Sequence, residues 1–165
     1  MESLIGAALV TASTTWIVLI YPALGRMRAL SRRASNLIRA QEMTGIDLLS
    51  GKVEGLLSEL AENVIRVRVD FIHFPLIYYF HADTEGASLA RSLGHLADLA
   101  ERASQDERAE PIRLGASVLS IALSDIAGIL STKFVPASKG EIPAVVFNAV
   151  RRDHLERDRP EDKDK

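Results

Sequence analysis

The sequence predicts an all-α fold: one N-terminal transmembrane helix, a cytoplasmic helical bundle and a charged, disordered tail. Three observations predict it. Ser3 to Leu24 contains no charged residue. Arg26, Arg28, Arg32, Arg33 and Arg39 then follow before the next acidic residue, Glu42. Beyond Lys52, apolar residues recur three and four positions apart, the spacing of a helix face. The bulk numbers agree, with 47% apolar but only 5% aromatic residues. A formal charge of −2 argues against a general nucleic-acid binder. With no cysteine there is neither a disulfide framework nor a thiolate metal site, which fits a reducing compartment. At 165 residues the chain has room for one ordinary domain with appendages.

The first segment is long enough to span roughly 32 Å as a helix, about the thickness of a bilayer's hydrocarbon core. A cleaved signal peptide fits poorly. Glu2 stands where a basic region belongs, the apolar run is too long, and no Ala-x-Ala site closes it. The membrane-exit basic cluster, Arg26, Arg28, Arg32 and Arg33, places the C-terminal side in the cytoplasm by the positive-inside rule. Projected at about 100° per residue, the span divides into two faces. Ala7, Ala8, Thr11, Thr14, Thr15 and Val18, continued by Pro22 and Gly25, form a small or hydroxylated stripe. Ile5, Leu9, Trp16, Ile17, Ile20 and Leu24 form a bulky one suited to lipid. The stripe suits close helix packing or a water-filled pathway. Alternatively, the hydroxyls bond back to their own helix and mean nothing more.

Residues 25–50 read as a basic juxtamembrane helix and loop, the basic residues serving as a stop-transfer flank that touches anionic lipid. Gly45 and Gly51 break the pattern. Residues 51–155 read as the bundle. Its first helix, from about Lys52 to Phe71, carries Val53, Leu56, Leu57, Leu60, Val64, Val67 and Phe71 on one stripe. Pro75 and the aromatics of "FIHFPLIYYFHAD" predict an extended or kinked connector. The next helix is expected to open on Asp83 or Thr84 as cap, with Leu89, Leu93, Leu96, Ala100 and Ala103 on one face.

"SQDERAEP" reads as a polar turn, with Pro111 at the first position of a helix reaching about Phe134. That helix is apolar on two sides. One stripe is Ile112, Ala116, Leu119, Leu123, Ile126, Leu130 and Phe134; the other is Leu114, Val118, Ile121 and Ile129. Arg113 and Asp125 bracket too short an uncharged core for a second span. It therefore reads as the central helix of a soluble bundle, or as one buried at an oligomer contact. A short apolar helix, "AVVFNAVRRDHL", follows, and residues 156–165, nearly all charge, read as a disordered tail.

Little in the sequence points to chemistry. His73, His81 and Asp83 gather around the connector with Asp70 before them, but their spacing lacks the regularity of a helical metal site. Polar ties between connector and helices are the expected role. His95 and His154 read as surface residues. There is no Gly-x-Ser-x-Gly elbow and no Gly-x-Gly pair. No catalytic residue, cofactor or metal is predicted, and no enzyme.

"MESLIGAALVTASTTWIVLIYPALGRMRALSRRA" resembles the inner-helix segment of bacterial two-transmembrane potassium-channel-family proteins. There a Glu-x-x-x-Gly start leads into an apolar helix, a Tyr-Pro and an Arg-rich exit. "DFIHFPLIYYFHADTEGASLARSLGHLADLAERA" and "VFNAVRRDHLERD" are similar to the cytoplasmic helical region and C-terminal helix of the same family. The resemblance implies a pore-lining inner helix over Ser3 to Leu24. Thr11, Thr14 and Thr15 would then face neighbouring helices or the aqueous pathway of a tetramer. The sequence departs from the family in having no Thr-x-Gly-Tyr-Gly-type filter. Without rings of filter carbonyls, the chain is not expected to conduct potassium selectively on its own.

The expectation is thus a potassium-channel-related membrane protein, single-pass in a bacterial inner membrane, whose partners are membrane lipid and either itself, as a homo-oligomer, or a pore-loop-bearing channel subunit. The alternative is a membrane-anchored helical interaction module with no conduction role.

Overall fold

The structure, a computed structural model, describes residues 2–50, 54–80, 88–105 and 107–157; the side chains of 2–13, 15, 16 and 54 lie outside that description. Among the described residues the secondary structure is helical throughout: α1 (Glu2–Thr44), α2 (Glu54–His73), α3 (Leu89–Ala103), α4 (Glu110–Lys133) and α5 (Pro143–Arg157), with single 3-10 turns at Pro75–Tyr79 and Pro136–Ser138.

Helix α1 differs most from expectation. The sequence suggests a span continued by a basic juxtamembrane helix that serves as a flank, and one unbroken helix runs through Pro22 to Thr44. Proline inside a helix removes a hydrogen bond and costs about 3 kcal/mol. Here packing on the C-terminal side outweighs it, since Ala23, Leu24, Met27, Leu30 and Ala34 are all buried. Residues 25–44 are accordingly part of the bundle core rather than a flank beside it. The helix stops at Gly45, whose N–H still bonds the Gln41 carbonyl at 2.8 Å and whose φ of 66° then turns the chain out of the helix.

Side-chain contacts set the direction of each helix. Arg26 pairs with Asp70, and Arg33 with Glu59, so α2 runs antiparallel to α1. Ser92 Oγ donates to the Ser31 carbonyl at 3.2 Å, while Asp47, just beyond α1, meets Arg102 and Arg108; α3 therefore runs with α1. Phe71 lies against Phe134, and Arg68 against Asp125, which makes α4 parallel to α2. The ring α1–α2–α4–α3 closes around one core, and α5 covers α3 and α4. Small residues at the α1–α3 seam, Ser31, Ala34 and Ser92, allow the close approach that the Ser92 bond requires.

Helix α2 buries most of the expected stripe, with Leu57, Leu60, Val64, Val67 and Phe71 each at 1% exposure or less; Leu56 is half-buried and Val53 falls outside the described residues. The connector is a 3-10 turn that Pro75 opens, and it drives Ile77 and Tyr78 inwards. Helix α3 is capped by Ser88, whose side chain accepts from the Arg91 N–H at 3.5 Å. The expected caps, Asp83 and Thr84, fall outside the described residues, as do His81 and the tail from residue 158. Helix α4 begins at Glu110, one residue before the expected Pro111. Its first stripe is the centre of the core: Ala116, Leu119, Leu123, Ile126 and Leu130 have almost no exposure. Among the described residues, α4 is the helix long and apolar enough to cross a membrane by length and composition, and half of its apolar window is buried in the bundle.

Candidate functional site

The end of the bundle where α1 joins it carries the features the sequence marks out. Ile20 is the first described residue of α1 to be buried, at 5% exposure. Just before it, Ile17, Val18 and Leu19 stand exposed in succession, at 48%, 64% and 52%, and Tyr21 follows at 68%. Three consecutive residues point to three sides of a helix, so the rod is apolar all round at this level. A helix surface in water keeps one polar face; an apolar circumference belongs inside protein or lipid.

Of the stripe, Val18 and Thr14 are exposed. Ala7, Ala8, Thr11 and Thr15 belong to the backbone of α1, and their side chains lie outside the described residues.

The exit cluster separates into two kinds of arginine. Arg26 donates from Nε and Nη2 to the two oxygens of Asp70, at 2.8 and 2.7 Å. Asp70 is only 5% exposed, so this fork supplies the charge that lets a carboxylate stay in the bundle wall. The same hydrogen bonds hold the Arg26 guanidinium even more firmly protonated than usual. Arg33 forms a second fork, on Glu59, and its hydrogen bonds hold that carboxyl below its ordinary range. Arg28 and Arg32 are exposed and make no ion pair among the described residues. Two of the four arginines thus latch α1 to α2, and the other two stay exposed.

Below them the aromatic connector meets the end of α5. Tyr78, 2% exposed, stacks on Phe134 with ring centroids 4.1 Å apart and the planes 5° from parallel. Its hydroxyl donates to Asp153 Oδ2 at 2.6 Å, and Arg157 Nε donates to the same oxygen at 2.8 Å. Burial pushes the Tyr78 phenol far above its usual range, and the bond to Asp153 adds to this. Burial would also raise the Asp153 carboxyl, but hydrogen bonds from Arg157 and Tyr78 outweigh it and hold the carboxyl low. The Arg157 guanidinium lies 5.3 Å from the Tyr79 ring centre. His154 is half-buried, its ring 4.6 Å from that of Tyr78, where a surface residue is expected. His95 is exposed.

These groups join elements of the bundle. Of the residues around the connector, Asp70 serves as the tie to α1, and His73 is exposed beside Phe74. Among the described residues no group of three His, Asp or Glu side chains is placed to hold a metal ion. The Tyr78–Asp153–Arg157 junction escapes sequence reasoning because its members are 75 residues apart and nothing local couples them. Arg157 four positions after Asp153 is the one signal available. Compared with protein-family models, curated proteins and solved structures, the chain matches none of them, and no potassium-channel family is identified by likeness.

Proposed function

We propose that this chain is a membrane-anchored helical module. The first part of α1 crosses the bilayer, and the bundle of α1–α5 is carried on its cytoplasmic side. The observation that supports this most directly is the exposed apolar circumference at Ile17, Val18 and Leu19, contiguous in sequence with an uncharged run back to Ser3. Exposing such a collar to water is unfavourable by about 25 cal/mol per Å² of apolar surface, and a bilayer removes that cost. Arg28 and Arg32, about two and a half and three and a half turns beyond the collar, then reach towards anionic headgroups.

The bundle holds the rod rather than hanging from it. α1 is unbroken from span to core, and the Arg26–Asp70 and Arg33–Glu59 forks lock its emerging turns to α2. A lateral or rotational movement of the span is therefore transmitted to α2 without a flexible joint.

The narrower version of this reading makes the module the inner helix and cytoplasmic domain of a potassium-channel-like assembly. Its support is the sequence resemblance, and it requires another subunit to supply the filter carbonyls.

The test is fractionation of cells expressing the full chain. The protein is expected to remain with membranes through alkaline carbonate and to need detergent for release. A C-terminal tag is expected to resist protease added outside spheroplasts. Release by carbonate alone, or digestion of the tag from outside, overturns the proposal.

A further inference from the structure

We infer that the 3-10 connector Pro75–Tyr79, with the Phe80 that follows it, is a second membrane contact: an aromatic foot seated at the boundary between headgroups and acyl chains. The inference rests on the membrane-anchored reading, which brings this end of the bundle to the bilayer.

Position comes first. Ile20, the first described residue of α1 to be buried, follows directly on the exposed collar of Ile17, Val18 and Leu19, so the bundle begins where the collar ends. Arg26, which pairs with Asp70, stands six residues further on, about 9 Å along the helix. Helix α2 runs the opposite way, so its last residue, His73, lies back at about the level of Ala23. The connector starts there. Its Tyr78 stacks on Phe134 at the end of α4, and borders one crevice with Leu89 at the start of α3 and His154 near the end of α5. The connector therefore lies across the end of the core that faces the collar.

Exposure divides its side chains. Ile77 and Tyr78 turn inwards and are buried, whereas Leu76, Tyr79 and Phe80 are 48%, 50% and 46% exposed. Side chains that turn away from a core capped by this connector turn towards the side from which α1 enters. A single exposed apolar residue needs no cover, but three within five positions, beside an apolar collar, form a patch.

The chemistry of the patch fits an interface between lipid and water. A tyrosine ring is apolar with a polar tip, the combination that favours the headgroup boundary. Cations stand around it: the Arg157 guanidinium lies 5.3 Å from the Tyr79 ring centre, and Lys133 is exposed at the end of α4. Asp153, the carboxylate that accepts from Tyr78, is already held by Arg157. Apolar groups of an interfacial element sink roughly 5–10 Å into the headgroup and acyl boundary, a depth within reach of the collar's edge. A second contact then fixes the tilt of the rigid α1 and its bundle against the bilayer.

The experiment uses the full chain in phosphatidylcholine bilayers, with tryptophan fluorescence as the readout. Trp16 is the sole tryptophan, so Trp16→Phe with Phe80→Trp moves the fluorophore to the connector. Lipids brominated near the headgroup, or near the chain ends, serve as quenchers. Phe80→Trp is expected to emit at shorter wavelength than in water and to lose more emission to the headgroup-side bromines than to the chain-end ones. Tyr79→Trp repeats the measurement at the neighbouring position. Trp16→Phe with Leu114→Trp is the control, because Leu114 is 68% exposed near the start of α4, at the opposite end of the bundle. It is expected to emit as in water and to escape quenching. Neutral lipid keeps the attraction of Arg28 and Arg32 for anionic headgroups out of the comparison.

If Phe80→Trp and Tyr79→Trp, folded by circular dichroism, are quenched no more than Leu114→Trp, the inference is overturned. The two proposals fail separately, because Trp16 of the unaltered chain reports the span. Quenching of Trp16 from the chain ends without quenching at the connector removes the foot and leaves the anchor. Quenching at the connector without quenching of Trp16 removes the span and leaves the foot.

Discussion

Replacing Arg26 by Met tests the finding that this arginine belongs to the bundle rather than to the lipid surface. The substitution keeps much of the aliphatic stem but strands the Asp70 carboxylate, whose side chain is 7% exposed. Breaking a fully buried ion pair from one side costs about 3–5 kcal/mol. Arg26 is itself 44% exposed, so water reaches the carboxylate from that side and the cost falls to about 2–3 kcal/mol. For a chain of this size that is a drop of roughly 5–10 °C in Tm. The assay is thermal unfolding of the full chain in mild detergent, followed by circular dichroism, as a double-mutant cycle with Asp70→Asn. In the Asp70→Asn background, Arg26→Met is expected to cost less than about 1 kcal/mol, because no charge is left stranded. Arg28→Met serves as the control, with a change within about 0.5 kcal/mol expected at an exposed, unpaired site. If Arg26→Met and Arg28→Met shift Tm equally, the assignment of Arg26 to the core is wrong.

Four further outcomes are expected. The raised Tyr78 phenol stabilises the fold fully below the unfolded-state value near pH 10; above it the unfolded chain ionises first, and stability falls by up to about 1.4 kcal/mol per pH unit. Tyr78→Phe is expected to be less stable at neutral pH but to lose this alkaline slope, which denaturant titrations from pH 8 to 11 will show. Asp153 acts in the opposite sense: its contribution is present above about pH 4 and is lost as pH falls through its depressed value, so Asp153→Asn is expected to flatten the acid limb. The exposed arginines are read out by lipid rather than by stability. Arg28→Gln with Arg32→Gln is expected to weaken association with anionic vesicles by about 1 kcal/mol per charge, while Tm stays unchanged and neutral vesicles show no difference. For the hydroxyl stripe, Thr11→Leu with Thr15→Leu is expected to reduce crosslinking between spans in membranes, whereas Ile17→Leu leaves it intact; equal behaviour of the two variants would remove that stripe as a packing face.

The sequence by itself determined the helices and most of their buried faces, because a helix face is written in residues three and four apart. Leu57, Leu60, Val64, Val67 and Phe71 could be read as core from spacing alone, and Pro111 and Pro75 could be placed by the backbone restriction proline imposes. The sequence also marked the second apolar stripe of α4. Only the tertiary structure decided which arginines are latches, since the acceptors Asp70 and Glu59 stand 44 and 26 residues away. It likewise carried α1 through Pro22, where buried contacts from Ala23 onwards overrule the local penalty. And it left Ile65, Val69 and Ile72 of α2, and Leu114, Val118 and Ile121 of α4, in the open. Local geometry repeats along a chain and can be counted; which faces meet depends on how helices far apart in sequence are packed.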